Sequence, residues 1–142
     1  MTVDAQMLDR GLSKQLGLEY ERVDGDGVVV SWTVDERHLQ PWGIVHGGVY
    51  CSVNETAASV AAQNWFGDRG MVVGVNNNTD FLRQAVPGAR LTATATPIHR
   101  GRSQQLWLIE THDEERRIVA RGQVRLANLA DPDSTPGTEP PP

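Results

Sequence analysis

The 142-residue chain is 39% hydrophobic and 22% charged, the balance of one soluble globular domain long enough to bury a core without disulfides or a metal. Its net charge of −5 argues against a nucleic-acid or anionic-membrane partner, since either favours a basic face. A single cysteine, Cys51, excludes an internal disulfide framework and any multi-thiolate zinc site.

Residues 5–16 place Met7, Leu8, Leu12 and Leu16 roughly on one helical face, with Gly11 as the weak point. These first residues lack the apolar core of a secretion signal, and no apolar run in the chain reaches membrane-spanning length. A cytoplasmic protein is therefore expected. Residues 18–23 and 28–34 read as strands joined by Asp24-Gly25-Asp26-Gly27, a hairpin signal. Residues 46–66 differ: they hold no proline and one formal charge, Glu55. The segment is too long for a strand and suits a buried helix. Its small residues, among them Ala57, Ala58, Ala61 and Ala62, let it lie close against a sheet.

Strand patterns then resume. Residues 71–83 form one long candidate, with Pro87-Gly88 beyond it. In residues 91–99, Leu91, Ala93 and Ala95 alternate with Thr92, Thr94 and Thr96. A turn at Gly101 precedes a strand over 104–111. From Ile118 to Leu126 the alternation again has a period of two, with one apolar and one largely polar face. Residues 130–142 hold five of the eight prolines and three acids, which predicts a disordered tail after a single domain at 1–129. Two strands, one long helix and four strands make an α+β chain. The economical arrangement is an antiparallel sheet curled around one central helix. Such an open sheet has two edges, and edge pairing favours a dimer.

The chemistry concentrates around the long helix. Gly47 and Gly48 let a ligand approach the backbone, and free N–H groups at a helix start favour a carbonyl oxygen gaining negative charge. A glycine pair serving tight packing alone is the competing reading. Glu55 could attack an electrophilic carbonyl or activate water; alternatively it lies on an exposed helix edge. Ser59 follows one helical turn later, where its hydroxyl could orient Glu55 or simply pack. Gly47 and Glu55 are separated by roughly 12 Å of helix rise. A glutamate side chain does not span that distance. Both can act on one carbonyl only if they come from different chains, at a subunit interface.

Other groups carry weaker signals. His38, His99 and His112 have no metal-ligand spacing, so no metal is expected. Cys51 reads as a packed small residue rather than a nucleophile. Arg100 and Arg102 flank a turn that could hold phosphate, or could be a solvated basic turn. Asn76-Asn77-Asn78 are poor strand residues in succession, which suggests a bulge or a polar site wall. Trp42 and Trp65 could line an apolar pocket or belong to the core.

Over residues 16–129 the chain resembles the PaaI-type hotdog-fold thioesterases of the 4-hydroxybenzoyl-CoA thioesterase group. The resemblance rests on Gln40-x-x-Gly43-x-x-His46-Gly47-Gly48, Glu55-Thr56-x-x-Ser59, Val72-Val73-Gly74 and Pro97-Ile98-His99-Arg100-Gly101-Arg102. It implies a hotdog fold and hydrolysis of an aryl or short- to medium-chain acyl-CoA, without a cofactor. It also implies a homodimer with a shared site, often assembled into a homotetramer. In that resemblance Gln40 and the Gly47 N–H polarise the thioester carbonyl, with His46 beside them. Glu55 is nucleophile or general base, assisted by Ser59. Gly48 binds substrate, Gly74 and Arg83 fall on the strand that flanks the acyl thioester, and Arg100, Arg102 and Ser103 meet coenzyme A phosphates. Two rival readings share the fold: a protein that binds acyl-CoA or a protein partner without turnover, and a hydratase or dehydratase of 3-hydroxyacyl thioesters.

Overall fold

The computed structural model describes residues 3–133. Two short helices open the chain, α1 (Ala5–Leu8) and α2 (Gly11–Gln15), in place of the single helix expected over 5–16. Gly11 takes φ +60°, a left-handed conformation that cannot continue a right-handed helix. The hairpin follows as expected, as β1 (Glu19–Asp24) and β2 (Gly27–Thr33). Its turn is held by Asp24 Oδ1, which accepts from the N–H groups of Asp26 and Gly27 at 2.8 and 2.9 Å.

The long helix α3 (Gly47–Phe66) comes next, then β3 (Gly70–Phe81), β4 (Arg90–Arg100), β5 (Gln104–His112) and β6 (Ile118–Ala130). All six strands join one antiparallel sheet in the order β1-β2-β4-β5-β6-β3. The α3 helix packs against every strand. It is apolar around most of its circumference, which fits an element enclosed by a sheet. Val53, Ala57, Ala58, Ala61 and Ala62 of α3 meet Val30 and Trp32 of β2, Leu91, Ala93 and Ala95 of β4, Trp107 and Ile109 of β5, and Val124 and Leu126 of β6 in one buried core. The alternation read from the sequence in β4 and β6 is the alternation of buried and outward residues. No helix among the described residues is long and apolar enough to cross a membrane.

The strand expected over 71–83 stops at Phe81, so Arg83 lies just past its end. The boundary expected at residue 129 falls inside the last strand, since β6 includes Ala130. The remainder of the tail expectation, from residue 134, lies outside the described residues.

The β3 strand sits at a sheet edge and contributes no buried residue. Met71, Val73, Val75 and Phe81 along it are all exposed. A long apolar edge strand is an open hydrogen-bonding template beside an uncovered greasy surface.

Candidate active site

The segment before α3 is a tight loop. The Leu39↔Val45 bridge closes it, and Gly43 turns it at φ +82°. Gln40 N donates to Ile44 O at 2.9 Å, and Gln40 O accepts from Gly43 N at 3.0 Å. The Gln40 side chain is also committed at one end, because its Oε1 accepts from the Trp42 N–H. This orients the amide and leaves its NH2 group as the outward donor.

His46 is the N-cap of α3. Its Nδ1 accepts from Gly48 N at 2.8 Å, so the ring carries its proton on Nε2. The Gly48 N–H is thereby used within the protein, whereas the Gly47 N–H has no partner among the described residues. Gly47 is also closely packed. A Cβ there would lie 2.5 Å from Cε2 of Phe81, whose ring covers it. An open cleft of about 430 Å³ brings together Gln40, Gly47, Tyr50, Phe81, Leu82 and Arg83. Among the cleft residues that sequence reasoning missed are Tyr50 and Phe81. Their rings are 6.1 Å apart, and nothing local in the sequence announces that pairing.

Burial pushes the Tyr50 phenol up to about 12. Its hydroxyl has no hydrogen-bond partner among the described residues.

Glu55 lies two turns further along α3, outside the cleft that holds Gly47. Its carboxylate occupies the space above Gly74, where a Cβ would fall 3.0 Å from the carboxyl carbon. Asn77 Nδ2 donates to Glu55 Oε2 at 3.2 Å and to Cys51 O at 3.0 Å. The asparagine run thus contributes to a polar wall, and the bulge lies just before it, at Val75. The register of β3 against β6 slips between Gly74 and Asn76, and Asn77 turns toward the helix. Ser59, half-buried, makes no hydrogen bond to Glu55 among the described residues.

The remaining expected site residues lie elsewhere in the protomer. Arg100 donates to Gly25 O at 2.8 Å and Asp26 Oδ1 at 2.9 Å, and stands over the Trp65 ring at 5.6 Å. Trp65 follows Glu55 by ten positions, or roughly 15 Å of helix. The turn of residues 100–103 is tied by Asn128, whose side chain donates to Gly101 O and Arg102 O while its N–H donates to Ser103 O. The Arg102 side chain is exposed. Trp65 therefore packs among arginines, and Trp42 is 83% exposed.

Residues 43–120 match the family model of the thioesterase superfamily. The crystal structure of AziG from S. sahachiroi is 54% identical and matches at TM-score 0.83, over 85% of this chain and 98% of that one. The Mycobacterium tuberculosis protein Rv1847 is 50% identical over 118 residues, 81% of this chain and 84% of its own. A 1,4-dihydroxy-2-naphthoyl-CoA hydrolase of Listeria monocytogenes is 34% identical over 82% of this chain and 94% of its own. With the sheet and helix in the arrangement the motifs implied, this chain belongs to the thioesterase superfamily, as a PaaI-like hotdog enzyme that hydrolyses thioesters.

Proposed function

We propose that the chain is an acyl-CoA thioesterase whose active site is completed by a second copy of itself. The observation that carries this reading is the division of the site along α3. Two uncommitted donors, Gln40 Nε2 and the Gly47 N–H, belong to one cleft. The only carboxylate of the helix lies roughly 12 Å away along its axis, against the edge strand.

Pairing of two β3 edges about a twofold axis would cover Met71, Val73 and Val75 and bring each Glu55 toward the partner's cleft. In that arrangement the thioester oxygen accepts from Gln40 and Gly47, which stabilise the charge it gains as the carbonyl carbon becomes tetrahedral. Glu55 of the partner subunit either removes a proton from the attacking water or attacks the carbon itself. The C–S bond then breaks, and coenzyme A leaves as a thiolate that takes up a proton. Where the carboxylate attacked, water then hydrolyses the acyl–glutamyl anhydride, releasing the carboxylic acid and restoring Glu55. His46 fixes the helix start, and Arg83 lines the cleft mouth. Arg100 is held by Asp26, so exposed Arg102, beside Ser103, is the cation of that turn left for a coenzyme A phosphate.

The acyl group accepted is an aryl or a short- to medium-chain one. The Listeria hydrolase, with its naphthoyl-CoA substrate, and the aromatic cleft wall of Tyr50 and Phe81 both support the aryl choice. The test is thiol release from benzoyl-, phenylacetyl- and medium-chain acyl-CoA without added metal. Wild-type protein should release coenzyme A from at least one, and Glu55→Gln should lose a factor on the order of 10² or more. No release from any of them at high protein concentration would favour a binding protein without turnover.

A further inference from the structure

We propose that Asn77 is the positioning residue of the Glu55 carboxylate, locked in its donating orientation by Thr79 and, through Thr79, by Asn54. This rests on the reading of Glu55 as the catalytic carboxylate.

The direction of every bond in the chain follows from donor and acceptor chemistry. Asn54 Nδ2 reaches Thr79 Oγ1 at 3.0 Å and can only donate. Thr79 Oγ1 reaches Asn77 Oδ1 at 2.7 Å, which can only accept, so the single hydroxyl proton points there. Asn77 therefore presents its NH2 group to Cys51 O and Glu55 Oε2, one hydrogen for each acceptor. A flipped amide would set its oxygen against a carbonyl and a carboxylate. One carboxylate oxygen is thus pinned, and the other, Oε1, stays over Gly74.

The surrounding backbone makes room for this relay. Without the slip after Gly74, strand alternation would turn Asn76 and Asn78 toward α3. With it, Gly74, Asn77 and Thr79 stand opposite Leu126, Val124 and Gly122, the buried face of β6. A Cβ on Gly122 would lie 2.7 Å from both Asn54 Nδ2 and Thr79 Oγ1, so the partner strand is bare where those side chains meet. Asn54 is fully buried and leaves Oδ1 without a partner among the described residues. An unpaired buried acceptor costs stability, and the relay is what its NH2 end supports.

The test is steady-state hydrolysis of the best acyl-CoA by Asn77→Leu, Thr79→Val and Thr79→Ser, and by Asn77→Leu combined with Glu55→Gln. A misplaced carboxylate should lower kcat of Asn77→Leu by about 10- to 100-fold with KM within about threefold. Thr79→Val should lose less, and Thr79→Ser, which keeps the hydroxyl, should be close to wild type. Because Asn77 acts through Glu55, the double variant should be no slower than Glu55→Gln alone. The proposal is overturned if kcat of Asn77→Leu stays within twofold of wild type, or if the loss recurs in full in the Glu55→Gln background. If Asn77→Leu does not fold, the Thr79 pair decides: serine and valine variants with equal kcat overturn it. Wild-type kcat in Glu55→Gln would overturn the reading of Glu55 and this proposal together. An inactive Glu55→Gln beside an unaffected Asn77→Leu would overturn this proposal alone.

Discussion

At the scale of single residues, a polar side chain with every bond made and a buried one with none have different consequences. The Asn77 amide spends both hydrogens and its oxygen, so its orientation is determined. The Tyr50 hydroxyl has no partner among the described residues and sits in a region that disfavours its charged form. The sign of the resulting pH effect follows from the proton count. Unfolded, the phenol ionises near 10; burial pushes it up to about 12 in the folded chain. Stability from this group is complete below pH 10 and is lost as pH rises through that window, because the unfolded chain releases a proton that the folded one retains. Tyr50→Phe should therefore flatten the alkaline fall in denaturant midpoint between pH 10 and pH 12, without lowering the midpoint at neutral pH. Tyr20, also raised by burial, keeps part of the slope in both proteins. Parallel declines for the two proteins would show that Tyr50 ionises as freely in the folded state as in the unfolded one.

At the scale of elements, α3 and the alternation of β4 and β6 were legible because each pattern is local. A proline-free apolar segment of that length has no other stable home, and a period of two fixes the buried face. The motifs at Gln40, His46, Gly47 and Glu55 were legible for the same reason. What stayed hidden depends on contacts far apart in sequence. The capture of Arg100 by Asp26 spans 74 residues, and Asn77 meets Glu55 across 22. The slip in β3 was suggested by three asparagines, but only pairing with β6 decides which of them turns inward. The first helix failed as one element because a single glycine at φ +60° outweighs four well-spaced apolar residues. The β3 edge also bears directly on assembly. Lysine at both Val73 and Val75 would place like charges across a paired edge. The double variant should sediment as a smaller species, with activity per chain falling with the dimer fraction. A monomer with full turnover would separate catalysis from assembly.

At the scale of the whole molecule, the proposed function makes the protomer a folded domain with half of each site. Its core is closed, its β3 strand is bare, and its donors and its carboxylate are too far apart along α3 to meet on one carbonyl. The most direct measurement mixes two inactive variants, Glu55→Gln and Gln40→Ala, each first shown to fold. Gln40→Ala is preferred to any change at Gly47, where an added Cβ would displace the Phe81 ring that lines the cleft. In a mixed dimer, the intact Glu55 of one chain faces the intact Gln40 and Gly47 of the other. If subunits exchange fully at equal ratio, half the dimers are mixed and each holds one restored site. Thiol release should then return to about a quarter of the wild-type rate per chain. Subunit exchange demonstrated by mass, with no return of activity, would contradict a site shared between chains.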